Sequence, residues 1–154
     1  MANLRKLQKR QKGVALVETI IVTPLLLFLI LATAEITAAF VDHNTLTKSA
    51  RNAARYVSAR ALVGSTGTVD LNAALLTEVR NVVVFGNPAG TGTSILPGLN
   101  PGDIQVQNLG NDVIQVTANY AYSGILGGTL PSLGLGSDSD LTINLQATVA
   151  MRAL

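Results

Sequence analysis

The chain has 154 residues, of which 48% are hydrophobic and only 13% charged, which limits it to one modest domain plus one strongly apolar stretch. Its formal charge of +2 is unevenly placed, because five of the eleven Lys and Arg (Arg5, Lys6, Lys9, Arg10 and Lys12) precede Gly13 with no acid among them. Past Gly13, six basic side chains meet nine acidic ones, which excludes a nucleic-acid surface, and the lack of cysteine excludes disulfides, thiolate nucleophiles and thiolate metal sites.

Residues 1–13 form a short basic leader that is not expected to fold alone. The next segment, Val14 to Ala34, has the length of roughly 20 residues needed to cross a hydrocarbon core. Lys and Arg beside such a segment stay on the cytoplasmic side, so the N-terminus is expected inside and the bulk of the chain outside. Three readings compete for this stretch. A secretory signal peptide would use Ala32-Thr33-Ala34 as its small-residue cleavage site, but its apolar region is usually only about 7–15 residues long. A plain single-span anchor leaves Glu18 unexplained, and a charge at the centre of such a helix costs roughly 2.5–3.5 kcal/mol, less near the interface. The third reading rests on a resemblance. A basic leader ending in Gly13, four apolar residues and then Glu18 is similar to the processing and assembly signature of type IV prepilins. Pro24 removes one backbone donor inside this helix, which membrane helices tolerate better than soluble ones.

From Ala34 to Leu62 no Gly or Pro intervenes, and good helix formers recur. Leu46, Ala50, Ala53, Val57 and Ala61 recur at spacings of three and four, predicting one narrow, small-residue face. A continuous helix over 14–62 would be about 74 Å long at roughly 1.5 Å per residue, too long for a domain of this size to cover at both ends. Gly64 and the Ser65-Thr66-Gly67-Thr68 run are expected to end it. Asp70 is a plausible N-cap for a second helix over about 70–83, whose apolar face is Leu71, Ala74, Leu75, Val79 and Val82. The Gly- and Pro-rich stretch that follows lacks the GK[ST] of a phosphate cradle and reads as a loop. Alternating apolar and polar residues then predict strands over about 103–108, 113–122 and 141–152, with a turn at Gly110-Asn111-Asp112. The fold class is α+β. A long N-terminal, pilin-like transmembrane helix lies on a small antiparallel sheet, with a second short helix, in an exported domain spanning 63–154.

Several stretches together resemble the TadE-like family, pseudopilins of tight-adherence (Flp-type) pilus systems. They are VALVETIIVTPLLLFLILATAEI, with its Glu-then-Pro order and second acid Glu35; the Ala/Arg-rich NTLTKSARNAARYVSAR; the Gly86-Asn87-x-x-Gly90 loop; and the closing strand ending at Met151-Arg152. Where the family often has Tyr after the first Glu, this chain has Thr19. The resemblance implies structural work at the bacterial inner membrane. A prepilin peptidase would cut between Gly13 and Val14, freeing the helix from its basic anchor. Glu18 would then pair with the new Val14 amine of a neighbouring subunit, offsetting two desolvation costs and fixing register. The partners implied are the membrane, that peptidase, other pilins or pseudopilins and the tight-adherence assembly platform, with no cofactor and no catalysis.

The residues agree that an enzyme is a poor reading. His43 is the only histidine and no nucleophile elbow accompanies it. Glu18 and Glu35 lie about 25 Å apart along one helix, too far for an acid/base pair. Asp138 and Asp140 could offer oxygen ligands to calcium, though two carboxylates in a turn are usually a solvated turn, so no metal is assigned. Two functions remain: a minor pseudopilin that joins or primes a pilus, and an uncleaved single-span subunit acting as an envelope scaffold.

Overall fold

The computed structural model describes residues 2–63, 68–124, 127–130, 136–137, 139–140 and 142–153; the side chains of residues 2–14, 63, 130, 139 and 140 lie outside the description. One helix dominates. α1 runs Ala2–Ser58 without a break, passing through Pro24, and at roughly 1.5 Å per residue it is about 85 Å long. Its backbone is helical from Ala2, so the basic leader is drawn into it, although short basic segments have little tendency to fold alone. Growth from an already formed helix needs no new nucleus, which is the physical reason for the difference.

The two halves of α1 meet different surroundings. Through the apolar stretch from Ala15 onward nothing in the chain covers it, and Leu16, Ile20, Ile21, Leu25 and Ile30 are all exposed. From Glu35 the helix buries one face, and Leu46, Ala50, Ala53 and Val57 on it are fully buried, as their spacing predicts, with Ala61 buried just beyond the helix end. Six of the buried helical residues are small (Ala39, Ser49, Ala50, Ala53, Ala54 and Ser58), which lets the helix backbone approach the sheet closely.

That sheet has three antiparallel strands in the order β3-β4-β7. β3 is Ile104–Gly110, the central β4 is Val113–Tyr122, and β7 is Ile143–Arg152. In β4 the alternation is complete: Ile114, Val116, Ala118, Tyr120 and Tyr122 are buried beneath the helix. The other face is polar and self-paired, with Thr117 and Thr148 hydroxyls 3.3 Å apart and the Gln146 amide donating to Asn119 at 2.9 Å across the ladder. Asn111 and Asp112 both take positive φ (51° and 61°), forming the tight turn whose twist suits a two-residue hairpin. The second helix, α2 (Ala73–Phe85), packs beside α1 and over β3. Two short hairpins complete the described fold: β1 (Leu62–Val63) with β2 (Thr68–Val69), and β5 (Thr129–Leu130) with β6 (Ser139–Asp140).

Several boundaries differ from the sequence reading. α1 stops at Ser58 rather than Leu62. The Ser58 hydroxyl donates to the Arg55 carbonyl at 3.0 Å, the amides of Arg60 and Ala61 both turn onto Val57, and Leu62 leaves as a strand. The Gly64 to Gly67 run expected to end the helix lies outside the described residues. Asp70 does not cap α2. Its amide closes the β1–β2 hairpin on Ala61 at 2.8 Å, and Asn72 is the cap, its side-chain oxygen accepting from the Leu75 amide at 2.8 Å. β3 extends to Gly110, because Gly110 (φ 85°) carries a bulge into the turn, and β7 begins at Ile143.

The alanine face sets the helix–sheet separation, so filling it should be costly. Ala53→Leu is expected to destabilise the folded domain by about 1–3 kcal/mol through overpacking. Arg51→Ala, on the exposed face of the same turn, should stay within about 0.5 kcal/mol. Denaturant unfolding of the two variants in detergent checks the contrast.

Candidate functional site

The residues singled out from sequence spread along α1 rather than converging on a cleft. Gly13 and Val14 sit within its continuous backbone, as do Arg5, Lys6, Lys9, Arg10 and Lys12. Glu18 follows on an exposed face. The hydroxyls nearby are satisfied within the helix, Thr19 donating to Ala15 O at 2.8 Å and Thr23 to Thr19 O at 2.7 Å, and Thr33 and Thr37 repeat the pattern. Apart from Glu18, the stretch from Ala15 to Ala34 therefore presents an apolar surface, with shallow small-residue grooves at Ala15, Thr19 and Thr23 and at Ala34 and Ala38. Asp138 lies outside the described residues, and the Asp140 side chain does too. Among the described residues no group of three His, Cys, Asp or Glu side chains could hold a metal.

A second acid occupies a different setting. Glu35 is 5% exposed, at the point where the helix first meets the head. Tyr122, at the end of β4, donates its hydroxyl to the Glu35 backbone carbonyl at 3.4 Å. The Glu35 carboxylate lies against Gly124, so closely that a Cβ at Gly124 would coincide with it. Burial raises the Tyr122 hydroxyl above its ordinary value near 10, and the neighbouring Glu35 and then Asp42 carboxylates raise it further. Tyr120, one inward step along β4, is raised by burial and then by Asp42, and donates to the Pro97 carbonyl at 3.0 Å. Tyr56 is raised by burial and by its 2.8 Å bond to Glu78, against the opposing Arg60 cation.

Sequence reasoning noted Glu35 only as a second acid and missed its junction with Tyr122 and Gly124. The available signals were a lone carboxylate in an apolar run and two tyrosines at inward positions of one strand. The Gly86-Asn87-x-x-Gly90 loop is a fold element. Asn87 donates to Phe85 O (3.2 Å) and Thr91 O (2.8 Å), Gly86 caps α2 in the left-handed region (φ 75°), and Gly90 abuts Asn81.

With this geometry described, residues 13–55 match the family model described as TadE-like protein. Over that stretch the long helix is similar to TadE-like proteins. The match begins at Gly13 and ends three residues before α1 does, taking in Glu18, Pro24, Glu35 and most of the alanine face. No curated protein and no solved structure matches the chain. TadE-like proteins are associated with tight-adherence pilus systems as structural or assembly components and are not a known enzyme family. The TadE-like helix of this chain is long and apolar enough to cross a membrane once, which fits a single-pass protein of such a system.

Two outcomes follow from the Glu35 junction. Gly124→Ala should lower the melting temperature, and much of that cost should disappear in a Glu35→Ala background, with a coupling of about 0.5–3 kcal/mol in the double-mutant cycle. The tyrosines set an alkaline limit. Their pKa values are higher folded than unfolded, so their contribution is complete below pH 10 and is lost as pH rises through the folded values. Tyr122→Phe should shrink the fall in stability above pH 10, read by thermal melts across alkaline pH.

Proposed function

We propose that this chain is a minor pseudopilin of a tight-adherence pilus, an assembly subunit cut by a prepilin peptidase between Gly13 and Val14. The observation that carries the reading is the unbroken TadE-like helix. From Ala15 to Ala34 it is left uncovered by the rest of the chain, and that stretch bears one carboxylate, Glu18, five residues after Gly13. An apolar surface of that extent needs lipid or other helices around it. Both are available to a subunit that waits in the inner membrane and then enters a pilus.

The chemistry of the handover rests on charge. Before the cut, five cations hold the N-terminus in the cytoplasm and oppose extraction. Gly13 is the weakest helix former at the junction, costing about 1 kcal/mol relative to Ala, so the helix is easiest to unwind where the peptidase must reach the backbone. After the cut, the Val14 amine lies about 6 Å along the axis from Glu18. A neighbour shifted by about one turn can bring its amine onto that carboxylate. In a dry bundle the pair offsets two desolvation penalties and penalises other registers. The small-residue grooves at Ala15, Thr19 and Thr23 support close helix approach on the same stretch. The head outside the membrane would supply the contacts that give the subunit its place in the pilus and any role in adhesion.

The N-terminal residue and intact mass, measured from cells with and without the prepilin peptidase, test this. A peptidase-dependent N-terminus at Val14 is the expected result. Retention of Met1 or Ala2 in both strains would instead assign an uncleaved single-span scaffold, and a start just after Ala34 would assign a secreted domain. Glu18→Ala should be inserted and processed normally yet fail to support piliation, and normal piliation in that variant would remove the pairing role.

A further inference from the structure

The apolar surface of α1 does not end at Ala34. Between Glu18 and Asp42 the only ionisable residue is Glu35, and the head covers it. Its carboxylate is turned onto Gly124 beneath the end of β4, away from the surroundings of the helix. On the uncovered side the helix stays apolar for another two turns, with Ile36 61%, Phe40 66% and Val41 58% exposed. Ile143, the first residue of β7, stands beside Phe40 and is 41% exposed, a break from the inward pattern of Leu145 and Ala147 after it. Ile36, Phe40 and Ile143 line one apolar surface, and Val41 extends the exposed apolar side chains round the helix, continuous with the uncovered transmembrane surface.

We infer that this patch is a lipid-contacting base: the head does not stand clear of the bilayer but sits with Ile36, Phe40, Val41 and Ile143 in the outer interfacial layer. The inference rests on the membrane-anchored reading above and extends it to the exported domain. Length supports it. Val14 to Val41 spans about 40 Å at roughly 1.5 Å per residue, against a bilayer of about 30 Å hydrocarbon and 40–45 Å with its interfacial zones. A span ending at Ala34 would leave two further largely apolar turns in water, while one ending at Val41 puts the half-buried Asp42, the next ionisable residue after Glu35, at the outer surface. Glu35 would be a charge within that layer, costly if it faced lipid. Packing against Gly124, with Tyr122 on the Glu35 backbone carbonyl, turns that carboxylate into the head and away from lipid. The opposite pole of the head is polar and distant. β4 runs about 30 Å from Tyr122 to the β3–β4 turn at roughly 3.3 Å per residue.

The chain contains no tryptophan, so single-Trp variants report position directly. Full-length Leu26→Trp, Phe40→Trp, Ile143→Trp and Leu109→Trp are reconstituted at high dilution into phosphatidylethanolamine/phosphatidylglycerol vesicles. The vesicles contain lipids brominated at shallow or deep acyl positions. Leu26→Trp should be quenched most by deep bromines, Phe40→Trp and Ile143→Trp at least twofold and most by shallow ones, and Leu109→Trp at the distal turn not at all. Deep quenching at 26 with 40 and 143 as insensitive as 109 would overturn the lipid-contacting base while leaving the membrane span intact. Blue-shifted but bromine-insensitive emission at 40 and 143 would also overturn it, assigning the patch to a second protein copy. An unquenched Leu26→Trp would remove the span and the inference together.

Discussion

The packing of a row of small residues on α1 against the inward face of β4 is the contact on which the remaining structure depends. Ala50, Ala53, Ala54 and Val57 are fully buried, and so are Ile114, Val116 and Ala118 opposite them. Alanine gives up little side-chain entropy on burial and brings the helix axis near the sheet. It also contributes little apolar area of its own. The larger contribution comes from what this proximity assembles: Leu46 and Ile104 at either side, Val79 and Val83 from α2, and Leu96 and Leu99 folded in from the loop. A helix face of large residues would hold the sheet away and leave α2 no shared core.

The same helix must satisfy a second, incompatible environment. Between Glu18 and Glu35 it carries no ionisable residue and is apolar on nearly every side, the pattern of a segment that gains nothing from hiding one face in its own domain. The transition occurs over less than two turns around Glu35. There the helix passes from uniformly apolar to one-sided, and the first long-range contacts from β4 arrive, with Tyr122 on the Glu35 carbonyl and Gly124 on its carboxylate. A glycine at that point of the chain is required by space rather than by dihedral angle, since the obstacle is another side chain. Glu35 thereby does two jobs with one burial: it marks where the head begins, and it keeps a carboxylate out of the path of the apolar surface.

Much of this was legible in the sequence because it depends on period. Leu46, Ala50, Ala53 and Val57 and the five inward residues of β4 follow from spacings of 3.6 and 2 and are all buried, while Ala61 is buried although the helix has already ended. The likeness of the first helix to TadE-like proteins was legible as a resemblance rather than from period, and residues 13–55 match that family model. What failed was local. Asp70 and Asn72 are both good caps two residues apart, and the choice went to Asn72 because the Asp70 amide was already committed to Ala61 across the small hairpin. The end of α1 at Ser58 was hidden because the residues after it have helical propensities and are overruled by a strand pairing. The junction at Glu35 was invisible because it joins residues 87 positions apart, and no periodicity encodes that.

Ile143 draws these strands together. By period it belongs with Leu145, Ala147, Val149 and Met151 on the inward face of β7, yet it is the one member of that row left exposed. It pairs with Tyr122 at the membrane-proximal end of the ladder, where the sheet runs out of helix to pack on, because α1 there turns Glu35 rather than an apolar residue toward the sheet. An acid at the end of the alanine face thus displaces an isoleucine outward. The displaced side chain meets Ile36 and Phe40, residues of the helix face that the head never covers. Burial of one charge and exposure of one apolar patch are two sides of a single packing choice. On the lipid-contacting reading proposed above, the base of the head shares the solvent preference of the helix that leads into it, and the boundary between lipid and water falls near Asp42.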